Sequence, residues 1–215
     1  MNQATDRGVF VTFEGIEGSG KTTQQRMLAG KIPDAVVTKE PGGTPIADRI
    51  RSILLDSSST IDPVAEVLLF AASRRQHTME VIRPALHRGK VVLCDRYADS
   101  SRAYQGCGRA IDLDRLRALN SWATDATIPN LTLIFDLPVE SGLDRARARN
   151  ASSTQDEGRF EAEDLRFHRR VREGFLSLHE AEPKRLAVID ADGSPEEVCR
   201  RVARIVENRL PRLLP

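Results

Sequence analysis

Gly15-Ile16-Glu17-Gly18-Ser19-Gly20-Lys21-Thr22 follows the apolar, β-branched run Val9 to Phe13 and opens a segment of helical spacing containing Met27 and Leu28. A strand leading through Gly-x-x-x-x-Gly-Lys-Thr into a helix is a phosphate-binding loop. The glycines let the backbone wrap an anion, and the helix start offers oriented N–H groups. Lys21 adds a mobile charge, and the Thr22 hydroxyl is a Mg²⁺ ligand type. The alternative is a glycine-rich turn with an incidental lysine; average residue usage puts a chance match in a chain this long at about one in a hundred or rarer. Residues Gly15 to Thr22, with Thr23 beside them, are the candidate nucleoside triphosphate contacts.

Around this loop, short β-branched runs alternate with longer helical patterns, the signature of a parallel sheet covered by helices on both faces. The strands are expected at Val9 to Phe13, Ala35 to Thr38, Val91 to Cys94, Leu131 to Asp136 and Leu186 to Asp190. The fold class is therefore α/β, a P-loop NTPase with a five-stranded parallel sheet. Asp62-Pro63 and Ser194-Pro195-Glu196-Glu197 mark helix starts. The first helix should run from Pro63 to about His87, kinked or interrupted at Pro84. Asp112 should cap another, ending near Ala126. The polar, acidic stretch Asn150 to Gly158 breaks the pattern and is expected to be a small flexible flap, within a lid of about 145–160. With no repeat or linker dividing the 215 residues, one domain over 1–215 is expected.

Charge narrows the partners. The 32 Lys and Arg nearly balance 31 Asp and Glu, leaving +1, so no whole-chain field favours nucleic acid, and any anion site must be local. Cys94, Cys107 and Cys199 are odd in number and lack metal-ligand spacing, which points to reduced thiols. No apolar run approaches the roughly 20 residues of a membrane span, and Met1 to Gly8 lacks an apolar signal-peptide centre. A cytoplasmic location without membrane attachment is expected.

Four further segments carry candidate chemistry. Glu40-Pro41-Gly42-Gly43-Thr44 is a tight turn at a strand's C-terminal end, where α/β sheets place ligands, or an ordinary Pro-Gly turn. In Leu69-Phe70-Ala71-Ala72-Ser73-Arg74, Phe70 and Arg74 are four apart on one helix face, offering a ring and a guanidinium to a flat base; core packing is the alternative for the phenylalanine. Asp95-Arg96-Tyr97 puts a carboxylate and a guanidinium at a strand end, as a phosphate and metal site or a surface ion pair. Ala103-Tyr104-Gln105-Gly106 alone would pass for a polar helix end.

In this order and spacing, with Phe13-Glu14-Gly15 leading into the loop, the segments resemble the thymidylate kinases over about the first three quarters of the chain. The resemblance implies transfer of the γ-phosphoryl group of ATP to dTMP, with Mg²⁺, in the supply of dTTP for DNA synthesis, by a homodimer. It implies that Glu40 and Pro41 line the monophosphate pocket, that Phe70 stacks on thymine, and that Arg74 contacts the base edge with Ser101 as a further donor. Arg96 would hold the acceptor phosphate, Asp95 would join Thr22 by the metal, Tyr104 would crowd the ribose 2′ position, and Gln105 would approach the base.

Some members of that family carry a basic residue inside the phosphate loop; others deliver an arginine from the lid. This chain resembles the second kind, because Glu17 and Gly18 occupy the variable positions while Arg145, Arg147, Arg149 and Arg159 surround the flap. A solvated helix face would explain the arginines equally simply. By the resemblance, Glu17 reaches toward the acceptor's 3′-hydroxyl or its metal and water shell. Arg149 and Arg159 both stand as candidates for the transferring arginine beside Lys21 and Arg96, with Arg159 preferred. A kinase for another small acceptor or a nucleotide-dependent switch would share the loop; the Asn-Lys-x-Asp motif of guanine-selective switches is absent.

Overall fold

The computed structural model describes residues 8–151, 158–211 and 213–214. β1 (Phe10–Gly15) is buried along its whole length, as the central strand of a sheet covered on both faces must be. β2 (Val36–Lys39), β3 (Val92–Asp95), β4 (Leu131–Asp136) and β5 (Leu186–Asp190) complete a five-stranded, all-parallel sheet in the order β2-β3-β1-β4-β5. β4 and β5 match the expected bounds. The first three strands start and end later than expected, because Gly15, Lys39 and Asp95 still pair in register although they carry no apolar signal.

The helices are α1 (Lys21–Ala29), α2 (Pro45–Leu55), α3 (Pro63–His77), α4 (Arg83–His87), α5 (Ala98–Ser101), α6 (Leu113–Thr124), α7 (Val139–Ala151), α8 (Leu165–Ala181) and α9 (Pro195–Arg209). Side chains fix most of the longer starts: Asp62 accepts from Val64 and Ala65, Asp112 from Arg115, Asp164 from Phe167, and Ser194 and Glu197 form a capping box. The start of α2, at Thr44-Pro45, has the same signature but was not among the expected elements. α1 differs: it begins at Gly20 in the left-handed region with no side-chain cap, so its first N–H groups face the loop.

The long helix expected from Pro63 to His87 is in fact three pieces. α3 ends at His77, a π-helical turn spans Thr78–Ile82, and Pro84 sits in the first turn of α4. Pro84 cannot donate to a carbonyl one turn back, and the widened turn absorbs that missing bond. A second π-helical stretch, Arg102–Gly108, carries Tyr104 and Gln105. α6 stops at Thr124, short of Ala126, where Asp125 turns left-handed. α7 includes Asn150, so the expected flap begins inside a helix; residues 152–157 of it lie outside the described part of the chain.

Two apolar layers sandwich the sheet. Leu28, Phe13, Phe135, Ile189, Val198 and Val202 join α1 and α9 to one face, while Ile134, Phe167, Val171, Phe175 and Leu186 join α8 to the other. Four inter-strand steps at roughly 4.8 Å separate the end of β2 from that of β5 by about 19 Å, with the phosphate loop near the middle of that edge. That spacing suits two ligands side by side at the carboxyl ends of the strands.

Candidate active site

A cleft of about 1330 Å³ opens along this edge. It exceeds the roughly 300–1,000 Å³ of a site for one drug-sized molecule. Ala191, Gly193, Pro195 and Val198 line it after β5, the loop and Arg145 and Arg149 line it centrally, and Glu40, Pro41, Phe70, Tyr104 and Gln105 line it on the β2–β3 side.

Within the loop, Glu17 to Thr23 line the cleft, whereas Gly15 and Ile16 do not. Their carbonyls instead organise the cations: Lys21 Nζ donates to Ile16 O at 2.7 Å, and Arg96 Nη1 donates to Gly15 O at 3.0 Å. The Ile16 side chain belongs to the core. Burial and then Arg96 lower the Lys21 amine to about 8, although Asp95, Glu17 and Glu14 pull the other way. Thr22 Oγ1 donates to Asp95 Oδ2 at 2.5 Å, so the two candidate metal ligands are neighbours. Among the described residues no three His, Cys, Asp or Glu side chains gather to hold an ion. A hydroxyl plus one carboxylate fits Mg²⁺, which keeps waters and completes its shell with substrate phosphates.

Gly18 holds a φ of 68°, and a Cβ there would strike the carbonyl oxygen of Gly142. A Cβ on Gly142 would in turn stand 2.6 Å from Glu17 O. The loop and the first turns of α7 thus meet backbone to backbone. Arg145 and Arg149 lie three and seven residues beyond Gly142, on the same helix face, and both reach the cleft. Arg149 bonds Asn150 and Glu161 at the rim. Arg159 is placed elsewhere: its Nε donates to Leu54 O at 2.5 Å, its Nη2 lies 2.7 Å from buried Glu66, and it does not line the cleft. Arg147 does not line it either.

On the acceptor side, Arg96 takes a left-handed φ of 68° and its N–H donates to Phe13 O at 2.9 Å. Its Nη2 donates to Glu17 at 3.1 Å and to Tyr104 Oη at 3.0 Å, while Tyr104 Oη donates to Glu17 at 2.5 Å. Burial pushes the Glu17 carboxyl up, but His168, Arg96, Lys21 and Tyr104 outweigh it and hold the group at about 2. Phe70 shares this pocket with Phe160, ring centroids 6.1 Å apart. Gln105 Nε2 donates to Glu66, which fixes its amide.

Arg74 was expected at the base edge, yet it is 1% exposed and does not line the cleft. It donates to Glu40, Ser101, Asn120 and the carbonyl of Tyr97, while His77 meets the other oxygen of Glu40 at 3.0 Å. Four of its five N–H groups are thereby used. Its evident work is to brace Glu40, before the cis peptide bond to Pro41, and Ser101, which lines the cleft.

Several contributors escaped the sequence. Lys39, Arg51, Phe160 and the turn after β5 line the cleft, and His168 approaches Glu17. Only the last turn had a usable signal, its position after a parallel strand.

Glu14 lies behind the loop, fully buried, and accepts from Tyr97 N, Ser100 N and Ser100 Oγ. Burial, then Asp99, push its carboxyl up to about 7 from an ordinary 4.5. A raised carboxyl favours the folded state when protonated, so its contribution is complete below 4.5 and disappears as pH rises through about 7. Between about pH 5 and 8, unfolding stability should fall by about 3 kcal/mol from this group, and less in Glu14→Gln. Urea titrations showing equal pH slopes in both proteins would refute this.

Comparison with known proteins agrees with the geometry. The thymidylate kinase family model matches residues 13–202. Thymidylate kinase of Geobacter sulfurreducens is 54% identical over 211 residues, covering 95% of this chain and 99% of that protein. Thymidylate kinase of Syntrophotalea carbinolica is 51% identical over 207 residues, covering 94% and 96%. The crystal structure of thymidylate kinase from Ehrlichia chaffeensis is similar, with a TM-score of 0.76, 33% identity and coverage of 93% and 99%.

Proposed function

The chain belongs to the thymidylate kinase family and transfers the γ-phosphoryl group of ATP to dTMP, giving dTDP and ADP; from that premise we propose which residues serve each substrate. An oxygen of the dTMP phosphate bonds to the γ-phosphorus as the bond to the β,γ-bridging oxygen breaks. No covalent enzyme intermediate is needed, so the protein's work is alignment and charge. ATP lies with its phosphates along Glu17 to Thr23 and Lys21, and its base toward Ala191 to Pro195. Mg²⁺, held through Thr22 and Asp95 with the phosphates, would neutralise charge on the transferring group. Arg96 holds the acceptor phosphate, with Glu40 and Pro41 forming its wall. Phe70 stacks on thymine, while Tyr104 closes the ribose 2′ side and Ser101 and Gln105 face the base. Arg74 acts on the base edge indirectly, by holding Ser101.

We further propose that this is a member with a lid arginine, and that Arg149 rather than Arg159 crosses to the transferring group. The observation that carries this is the helical face running from Gly142 to Arg145 and Arg149 over the cleft. A cytoplasmic homodimer fits the exposed Ile46, Ile53, Val64, Leu68 and Trp122 on α2, α3 and α6. Among the described residues no helix is long and apolar enough to cross a membrane.

A coupled ADP-release assay with ATP and Mg²⁺ tests the acceptor pocket, with Lys21→Ala as the blank. Strong turnover is expected with dTMP and little with UMP, CMP, AMP or GMP. With dUMP it should be weaker, since one methyl group separates substrates by about 10- to 200-fold at most. Equal rates with ribonucleotides would discard the role given to Tyr104. Sedimentation equilibrium on the same sample reads the dimer.

A further inference from the structure

α8 buries Phe167, Val171, Phe175 and Leu178 in the core against the sheet and the π-helical stretch Arg102–Gly108, where Gly174 faces Cys107. His168 stands beside Phe167 on this helix, is 0% exposed, and packs edge-on to the Phe167 ring at 5.4 Å. Burying an imidazole without partners is costly, and an apolar residue would be expected there. Among the described residues neither ring nitrogen makes a hydrogen bond. The nearest acidic group is Glu17 Oε2, 3.4 Å from Nδ1 and itself without a hydrogen bond, whereas Oε1 already receives Tyr104 and Arg96.

We propose that His168 is a positioning residue for the acceptor site, donating its Nδ1–H to Oε2 of Glu17. The two carboxylate oxygens are then held from opposite sides, Oε1 by Arg96 and Tyr104 and Oε2 by α8, so the group cannot swing about its Cγ–Cδ bond. A bond to an ionised acceptor is about twice as strong as a neutral one. At 3.4 Å the contact is slightly longer than a bond of about 2.7–3.2 Å. The inference rests on the role that the family resemblance implies for Glu17, reaching toward the acceptor's 3′-hydroxyl. It gives α8, otherwise a packing helix, a direct hold on the phosphate loop from the far side of the lid.

Steady-state kinetics of His168→Phe, His168→Asn and His168→Gln, each with and without Glu17→Ala, test it. His168→Phe keeps the ring and removes the donor. It should raise KM for dTMP about tenfold, the size of a lost charged hydrogen bond, with kcat and KM for ATP within about twofold. Asparagine places its amide nitrogen where Nδ1 stands and should recover most of the affinity; glutamine, whose nitrogen matches Nε2, should not. On Glu17→Ala, His168→Phe should change KM for dTMP by less than about twofold, because the two act through one contact. Equal losses in both backgrounds would reduce His168 to packing and overturn the proposal. So would a wild-type KM in His168→Phe. If Glu17→Ala itself leaves KM for dTMP unchanged, the role of Glu17 falls and this inference with it. If Glu17→Ala raises it and His168→Phe does not, this inference falls alone. Should the phenylalanine variant not fold, nitrogen-15 spectra of the wild type decide. Of the four histidines, the signals lost in His168→Asn should report an Nδ1–H tautomer, and an Nε2–H tautomer would refute the bond.

Discussion

Arg149→Ala should lower kcat by about 10³-fold or more while KM for dTMP changes little, as expected for an arginine that acts only on the transferring group. Its side chain is 60% exposed and lines the cleft, pairing there with Glu161. Arg159→Ala should behave differently. It removes one partner of a pair with Glu66 that is 9% and 1% exposed, and the loss is softened because Arg109 also holds Glu66. The expected result is a lower melting temperature and a weakened base pocket, since Glu66 also fixes Gln105. Single-turnover rates separate the two. A chemical step within tenfold of wild type in Arg149→Ala, with a slow one in Arg159→Ala, would reverse the assignment.

Arg96→Ala should reduce kcat/KM for dTMP by about 10²- to 10³-fold with a much smaller change in KM for ATP. Truncating one partner of a desolvated charged contact costs about 2–5 kcal/mol, and Arg96 would hold the acceptor phosphate as well as Glu17. Arg96→Lys should restore only part. One ammonium cannot reach Gly15 O and Ser100 with one limb and Glu17 and Tyr104 with the other, as the guanidinium does. Acceptor-saturation curves read both variants, and a near-normal Arg96→Ala would take this residue out of the acceptor site.

What the sequence displayed follows from the range of the interaction. The phosphate loop, β4, β5 and the capped starts of α3, α6 and α9 depend on neighbours a few residues away, and their patterns were legible. The loss of helical regularity at Thr78–Ile82 was signalled by Pro84 but not its form, because a π-helical turn depends on where the missing bond is taken up. The site split in the same way. Residues at strand ends, such as Asp95 and Arg96, were recognisable from position. The partners that orient them were not: Arg74 meets Glu40 from 34 residues away, Gln105 meets Glu66 from 39, and Tyr104 meets Glu17 from 87. No periodicity records such pairs. Arg159, preferred for the transfer from its proximity to the flap, instead pairs with buried Glu66, away from the cleft lining.

The contact between Gly18 and Gly142 also bears on substitution. Two solutions to charging the transferring group, a basic residue in the loop and an arginine on the helix above, compete here for one volume: a side chain at position 18 would occupy the space through which α7 approaches. If Arg149 acts as proposed, a basic side chain at position 18 would not fit without displacing the helix that carries the arginine. Because the obstacle is the Gly142 backbone, a larger residue at position 18 requires the helix itself to retreat.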